Sequence, residues 1–285
     1  MSQEFSPLIK PEELMLLKRT TKLVIVDARS GQGAKEKYTA EHIEGALHVD
    51  LDHDLAHVKP DPSQGGRHPL PELDKFSKVL THLGISPQSH VIIYDDKSGA
   101  NAAARFWWML KSVGHEKVQV LDGGLSAALK AGLPLSAKEE IPATTEVYPA
   151  KKWLLPLVDI NEVEKASHNS DFLIIDVREN DRYKGEREPI DLIAGHIPGA
   201  INAPYLNNLD ANGFYLSPQE LKNNYSKIIG DTKPENIIVH CGSGVTACHT
   251  ILAMASAGIE IPKLYVGSWS EWSRSGKPIA KGNKN

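Results

Sequence analysis

One cysteine of the chain stands where nucleophilic chemistry is possible. Cys241 follows a β-branched run at residues 237–240 and precedes a glycine-containing segment, residues 242–246, in which a helix is predicted to begin. Glycine lets successive backbone N–H groups turn inward, and the positive end of a helix adds to them, so a thiolate or persulfide anion is stabilised there. A buried, inert cysteine at a strand end is the simpler alternative. The loop as a whole favours a nucleophile.

Two copies of one pattern provide the elements that position this loop. Apolar runs that end in Asp-x-Arg, at residues 23–29 and 172–178, predict a buried strand in each copy, and His-Ile-x-Gly-Ala runs follow both. A later β-branched run ends at Asp95 in the first copy and at Cys241 in the second, each before a helical pattern. Strands that alternate with helices in matching halves predict an α/β fold of two domains, each a mainly parallel sheet flanked by helices.

The repeat also predicts the domain boundaries. We expect an N-terminal domain over residues 1–135, a linker over 136–157 and a C-terminal domain over 158–285. The middle segment combines prolines with charged and small polar residues and lacks sustained periodicity. Functional groups of α/β sheets collect where strands end, which is where Cys241 is predicted to lie. In the first copy, Asp95 stands at the position of Cys241 and offers no thiol.

Composition excludes several classes of partner. The net charge is −4 without long blocks of one sign, which disfavours nucleic acid and anionic membranes. No apolar stretch approaches the roughly 20 residues of a membrane span, and the N-terminal residues lack a signal-peptide pattern. Two cysteines are too few for a disulfide-stapled scaffold, so we expect a reducing, cytoplasmic location.

The chain resembles the tandem rhodanese-type sulfurtransferases over nearly its whole length. The resemblance rests on both His-Ile-x-Gly-Ala runs, on Trp269-Ser270-Glu271-Trp272 and on the loop Cys241-Gly242-Ser243-Gly244-Val245-Thr246-Ala247. It implies that Cys241 becomes a persulfide that carries sulfur from a small anionic donor to cyanide or to a thiol, such as that of a thioredoxin. It implies no metal and no organic cofactor. In that family the N-terminal domain is silent and the C-terminal domain holds the cysteine.

The same resemblance implies a donor and a set of site residues. Gly242-Ser243 is similar to the loop of the 3-mercaptopyruvate enzymes, whereas thiosulfate-preferring enzymes carry basic residues there. A dianion gains from a nearby cation, while one carboxylate can be clamped by an arginine elsewhere. Arg182 matches that clamp; the family's second arginine has no clear match, and Arg187 is the nearest candidate. Ser243 matches the serine that handles the donor's proton, with His42 as its expected partner. The predicted substrate-binding set also includes Gly242, Gly244, Val245 and Thr246.

Alternative functions are open or disfavoured on particular residues. Thiosulfate as the donor stays open, because the segment 184–191 is more acidic than a carboxylate pocket favours. A cysteine phosphatase needs an arginine six positions after the cysteine, where this chain has Ala247. A non-catalytic binding or sensing module conflicts with the intact second loop. A metal site at His53 and His57 lacks a third ligand, and Cys248 is expected to pack in the helix.

Overall fold

β-Branched runs form the strands of the first unit, in a computed structural model that describes residues 5–282. The extended segments are rich in Val, Ile and Leu, which favour strands, and the helices between them bury one face. The elements of this unit are, in chain order, β1 (Leu8–Ile9), α1 (Pro11–Thr20), β2 (Leu23–Asp27), α2 (Ala34–Ala40), β3 (His42–Ile43), β4 (Ala46–His48), α3 (Leu73–His82), β5 (His90–Tyr94), α4 (Ala102–Ser112), β6 (Val118–Leu121), α5 (Gly124–Lys130) and β7 (Leu135–Ser136).

The second unit repeats the alternation of strands and helices. Two of its helices begin with capping boxes, at Asp159 with Glu162 and at Ser217 with Glu220. Short 3-10 helices cover Tyr205–Asn208 and Pro234–Asn236. The other elements are β8 (Leu157–Val158), α6 (Ile160–Ser167), β9 (Leu173–Asp176), α7 (Asn180–Lys184), β10 (Ile201–Asn202), α8 (Pro218–Ile229), β11 (Ile237–His240), α9 (Thr246–Ser256), β12 (Lys263–Tyr265) and α10 (Ser268–Trp272).

The two sheets have the same strand order. It is β1-β6-β5-β2-β4 in the first unit and β8-β12-β11-β9-β10 in the second, and every neighbouring pair in both sheets is parallel. Each strand therefore has a counterpart at the same place in the other sheet. The predicted α/β fold class with two mainly parallel sheets is confirmed.

The Asp-x-Arg run forms the same ion pair in both units. The guanidinium of Arg29 donates to Asp27 at 2.7 Å and to the carbonyl of Glu41 at 2.6 Å. In the second unit Arg178 donates to Asp176 at 2.6 Å and to the carbonyl of Gly195 at 2.7 Å. Both pairs are buried, and each ties the end of a central strand to the turn before the next edge strand. The repeat thus extends from strand order to individual hydrogen bonds.

The division into units differs from the predicted boundaries. The first unit contains the described residues up to His57, together with Pro71–Leu154 and Ala211–Tyr215; the second contains Val58–Leu70, Leu155–Asp210 and the described residues from Leu216. A short segment of each half of the sequence therefore packs with the unit built mainly from the other half. The outermost parts of the predicted domains, residues 1–4 and 283–285, lie outside the described residues.

The segment predicted as a linker, 136–157, packs along the first unit as far as Leu154. The ring of Trp153 lies 5.4 Å from that of Phe76 and 6.3 Å from that of Trp108. Tyr148 is buried, and its carbonyl accepts a hydrogen bond from Ser77. Burial of these aromatic rings holds the segment, although only its end residues, Ser136 of β7 and Leu157 of β8, lie in strands. Among the described residues no helix is long and apolar enough to cross a membrane.

Candidate active site

Cys241 lies in the loop between β11 and α9, and the start of α10 fixes the backbone of this loop. The Cys241 N–H donates to the Ser268 hydroxyl at 3.2 Å, and its carbonyl accepts from the Trp269 N–H at 3.0 Å. The Gly242 carbonyl accepts from the Ser270 N–H at 2.8 Å. Because α10 is anchored by the buried rings of Trp269 and Trp272, the loop is held from the core of the unit. The nucleophile is thus positioned by the predicted Trp-Ser-Glu-Trp segment.

Ser268 adopts a backbone conformation that usually requires glycine. Its φ is +53°, and its counterpart in the first unit, Gly124, has a φ of +59°. The two turns also make equivalent hydrogen bonds. In the first unit the Leu125 N–H donates to the Asp95 carbonyl at 2.9 Å, as the Trp269 N–H donates to the Cys241 carbonyl in the second. A non-glycine residue is strained here. The Ser268 hydroxyl offsets the strain by accepting from Cys241 and donating to the Tyr265 carbonyl at 2.8 Å.

The first copy shows that a loop of this kind directs backbone N–H groups at a buried carboxyl group, although burial outweighs these hydrogen bonds and raises the pKa of that carboxyl, Asp95. The fully buried Asp95 carboxylate accepts four backbone N–H groups, from Lys97 at 2.8 Å, Gly99 at 2.8 Å, Asn101 at 3.1 Å and Ala103 at 3.2 Å. Convergent N–H groups before a helix stabilise negative charge. The first unit supplies the acceptor for these N–H groups with its own side chain.

In the second unit Cys241 replaces the carboxylate, and the loop N–H groups are available to a ligand or to sulfur. Within the described residues, no acceptor is found for the N–H groups of Gly242, Ser243 and Val245. Thr246 begins α9, and Val245 is its N-cap residue without a side-chain cap. Gly244 has a φ of +72°, and a Cβ there would lie 2.5 Å from the carbonyl oxygen of Val266. The loop therefore requires glycine at this position.

The partner of the Ser243 hydroxyl is His68. Ser243 Oγ and His68 Nδ1 lie 2.8 Å apart, within hydrogen-bonding distance. The 58–70 segment brings this histidine into the second unit. The Gly65 N–H donates to Glu271 Oε1 at 2.9 Å, and the Arg67 N–H donates to Ser270 Oγ at 3.1 Å, so α10 anchors the segment as well as the loop.

The structure therefore corrects the expectation that His42 is the partner of Ser243. His42 Nδ1 lies 2.8 Å from the Tyr38 carbonyl oxygen, and the two rings are stacked at 4.3 Å. His196, in the second His-Ile-x-Gly-Ala run, has the same relation to Tyr183, at 2.8 Å with rings stacked at 3.8 Å. A contact that occurs in both copies, of which only the second has the Cys241 thiol, is explained by the fold. The shared motif thus fixes a turn.

Arg182 lies beside the Cys241 loop, but protein carboxylates occupy its guanidinium. It donates to Glu188 at 2.7 Å and 3.2 Å and to Asp191 Oδ2 at 3.3 Å. A Cβ built on Gly242 would lie 3.6 Å from Arg182 Nη2 and 3.1 Å from Arg67 Nη2. The predicted clamp is thus next to the nucleophile, and Arg67 is a second guanidinium there.

Arg187 forms its ion pair outside the group of Arg182, Glu188 and Asp191. Its Nε donates to Asp181 Oδ2 at 2.5 Å, and both side chains are substantially exposed, at 52% and 38%. Among the described residues the structure gives its side chain no hydrogen bond or ion pair with the Cys241 loop. The arginines that sequence reasoning missed are Arg67 and Arg274, which both donate to Asp191. A visible signal was the acidic segment 184–191, whose carboxylates proved to be their acceptors.

Other residues considered from the sequence have ordinary roles. Cys248 is buried in α9, and its Sγ donates to the Gly244 carbonyl at 3.4 Å. His53 is exposed and lies 2.9 Å from Asp50 Oδ1. Across residues 5–282 no group of three or more His, Cys, Asp or Glu side chains could hold a metal ion.

A family model described as rhodanese-like domain matches the chain twice, at residues 10–131 and 159–275. The chain belongs to the rhodanese-like family. A probable 3-mercaptopyruvate sulfurtransferase of Pseudomonas aeruginosa is 39% identical over 251 residues, which cover 86% of each chain. A thiosulfate sulfurtransferase of Rattus norvegicus is 34% identical over 86% of this chain and 82% of its own. The crystal structure of SseA from Escherichia coli, described as a 3-mercaptopyruvate sulfotransferase of the rhodanese fold, matches with a TM-score of 0.76 and 32% identity, over 94% of this chain and all of the other.

These similarities confirm the prediction of a sulfurtransferase that uses a sulfur donor and an acceptor, because relatives of both names span most of the chain. They also confirm the tandem arrangement of two rhodanese-like domains. The cytoplasmic location stays a prediction.

Proposed function

We propose that the chain moves a sulfane sulfur from 3-mercaptopyruvate to a thiol or cyanide, with Cys241 as the carrier. The observation that carries the proposal is the loop of Cys241, in which the thiol stands where the first unit has the Asp95 carboxyl group with backbone N–H groups directed at it. The relative from Pseudomonas aeruginosa, at 39% identity, bears the name of this activity. Two guanidinium groups beside Gly242 suit a donor with a carboxylate.

The first half-reaction is a displacement at sulfur. The Cys241 thiolate attacks the donor's sulfur, an S–S bond forms, and the C–S bond breaks. Its electron pair goes to the departing carbon as the enolate of pyruvate. That carbon takes up the proton that the donor thiol loses, and Ser243 with His68 at 2.8 Å provides the path for it. Pyruvate leaves, and Cys241 carries a persulfide.

The second half-reaction returns the enzyme to its starting state. An acceptor thiolate attacks the outer sulfur of the persulfide, and the Cys241 thiolate departs with the electrons of the broken S–S bond. Cyanide as the acceptor gives thiocyanate. The loop N–H groups stabilise the anionic sulfur between the two steps. A protein dithiol such as thioredoxin is the proposed physiological acceptor, and the two free cysteines are consistent with a reducing, cytoplasmic location.

Thiosulfate is the second candidate donor, with sulfite as its leaving group. In its favour are relatives named thiosulfate sulfurtransferase, at 34% identity, and the arginines near the loop. Against it is the pairing of those arginines with Asp191 and Glu188, which leaves little surplus charge for a dianion.

The deciding experiment follows sulfur onto Cys241. The protein is incubated with 3-mercaptopyruvate or thiosulfate, and mass spectrometry looks for one added sulfur on the Cys241 peptide, beside initial rates with each donor. Cys241→Ser should abolish persulfide and turnover with an unchanged circular dichroism spectrum. Cys248→Ser, the matched control in α9, should keep both. Turnover by the Cys241→Ser variant would refute the proposal.

A further inference from the structure

Asp191 is the centre of a buried arginine cluster beside the nucleophile. Its side chain is fully buried, and its oxygens accept from Arg67, from Arg182 at 3.3 Å and from Arg274 at 3.2 Å. These three guanidinium groups come from separate parts of the second unit: the 58–70 segment, α7 and the residues after α10. One carboxylate therefore binds three guanidinium groups.

The cluster stands directly over the catalytic loop. A Cβ on Gly242 would lie 3.1 Å from Arg67 Nη2, 3.6 Å from Arg182 Nη2 and 3.7 Å from Asp191 Oδ2. A donor whose sulfur reaches Cys241 consequently places its anionic group among these side chains. Asp191 occupies guanidinium groups that the donor's own carboxylate or sulfonate would use.

The charges of the cluster are nearly balanced. Glu188 binds Arg182 at 2.7 Å and also accepts from Arg178, which is itself paired with Asp176. At the rim Glu179 lies 3.7 Å from Arg182 Nη1. Arg67, Arg182, Arg274 and Arg178 thus face the buried carboxylates of Asp191, Glu188 and Asp176, and the rim carboxylate of Glu179 offsets the one remaining positive charge, so the site offers a donor hydrogen-bond donors without a large positive excess.

We propose that Asp191 sets the donor preference by balancing these arginines, so that the site takes a monoanionic sulfur donor and discriminates against a dianion. This rests on the proposed function, because it assumes that Cys241 accepts sulfur from a small anion. Coulomb energy scales with the product of the charges, so a negative charge at Asp191 opposes a dianion twice as strongly as a monoanion at the same place. Removing the charge of Asp191 should therefore strengthen the binding of a dianion more than the binding of a monoanion.

Asp191→Asn tests this with little change of shape. We expect the KM for thiosulfate to fall by about tenfold and that for 3-mercaptopyruvate by about threefold, with kcat changed less, so that the ratio of the two kcat/KM values shifts toward thiosulfate. The shift should shrink at high salt, because the effect is electrostatic. Asp231→Asn is the matched control, since it removes the same charge from an exposed turn after α8 and should leave the ratio unchanged.

A measurement on the wild-type protein does not depend on how the variant folds. At equal ionic strength, pyruvate should inhibit more strongly than sulfate, because the balanced cluster favours the monoanion. Stronger inhibition by sulfate, or an unchanged donor ratio in folded Asp191→Asn, would overturn the role of Asp191. Persulfide formation on Cys241 separates this from the proposed function: if the persulfide forms and the ratio is unchanged, only the inference about Asp191 fails.

Discussion

At the Ser243 hydroxyl, a proton can move only if a base lies within hydrogen-bonding distance, and His68, at 2.8 Å, is the base that the proposed mechanism uses. Imidazole is the side chain whose ordinary pKa lies nearest neutrality, so it can accept and return a proton during one turnover. His42 makes its contact with a backbone carbonyl and a stacked tyrosine instead. Replacing His68 should therefore lower kcat, whereas replacing His42 should lower the stability of the fold.

His68→Ala should lower kcat with mercaptopyruvate by about 100-fold or more, because the proton path loses its base. His42→Ala should retain kcat at low temperature but lose about 2 kcal/mol of unfolding free energy, because a buried hydrogen bond and a stacked ring disappear. Steady-state kinetics and denaturant unfolding on both variants give the comparison. Equal losses of kcat would contradict the assignment of separate roles.

Glu188 ties the stability of the arginine cluster to pH. Burial alone would raise the pKa of this carboxyl, but hydrogen bonds from Arg182 and from N–H groups outweigh burial and hold its pKa below the ordinary value of 4.5. A carboxyl whose pKa is lowered by folding stabilises the protein above its unfolded pKa. That contribution is lost as pH falls through the lowered, folded-state pKa.

Glu188→Gln should accordingly reduce the unfolding free energy at pH 7 by about 1–3 kcal/mol, because charge-assisted hydrogen bonds are lost. The difference from wild type should narrow as pH falls below the ordinary carboxyl value, since the unfolded wild-type chain then binds a proton at Glu188 that the folded protein does not, and it should vanish once pH has fallen through the lowered folded-state pKa. Urea unfolding between pH 3 and pH 7 measures both. A difference that stays constant with pH would show that Glu188 does not act through its charge.

The sequence analysis found site residues that lie close together along the chain and missed those whose partners lie far away in sequence. Cys241 and Ser243 share one loop, so a local pattern indicates them. His68 is 175 positions from Ser243, and Arg67 is 124 positions from Asp191. Such contacts depend on where the 58–70 segment folds. A local sequence pattern does not indicate the position of that segment. For this reason the sequence analysis expected His42, and not His68, to be the partner of Ser243.

At the scale of elements, the turn from β12 into α10 controls the geometry of the loop. Ser268 takes a conformation that its counterpart Gly124 reaches at little cost, and its hydroxyl binds the Cys241 N–H at 3.2 Å. The strain and the hydrogen bond lie in one residue. Two substitutions can separate them.

Ser268→Ala should be less stable than Ser268→Gly by about 1 kcal/mol, because alanine keeps the strain and loses the hydroxyl, whereas glycine loses the hydroxyl but relieves the strain. Both should lower kcat, since Cys241 loses the acceptor of its N–H. Thermal unfolding and donor kinetics report the two effects separately. An alanine variant as stable as the glycine variant would show that this turn stores no strain.

The elements themselves followed from their composition. β-Branched runs predicted β2, β5, β9 and β11, because buried parallel strands need continuous apolar residues. The segment 136–157 has no hydrophobic periodicity, so the sequence did not indicate that it packs against the first unit. Isolated aromatic residues, Tyr148 and Trp153, hold it to the first unit.

At the scale of the whole molecule, the same fold is used once to bind its own carboxylate and once to hold a nucleophile. Asp95→Asn should destabilise the first unit, because the amide NH₂ would face N–H donors that now meet a carboxylate. We expect the unfolding free energy to fall by about 2–4 kcal/mol. Calorimetry measures it.

The exposed neighbour Asp96 provides the control for this prediction. Asp96→Asn should change stability by less than about 0.5 kcal/mol, because it lies at the surface. If the two variants are equally stable, the Asp95 carboxylate is not what stabilises its loop.

The 58–70 segment has a consequence for heredity. It is encoded in the first half of the sequence, yet it supplies His68 and Arg67 to the unit that holds Cys241. A gene for this chain therefore cannot be divided between the two copies of the pattern without removing from Cys241 the histidine that the proposed mechanism uses as its base. Missense variants at Arg67 or His68 should behave genetically like variants of the nucleophile itself.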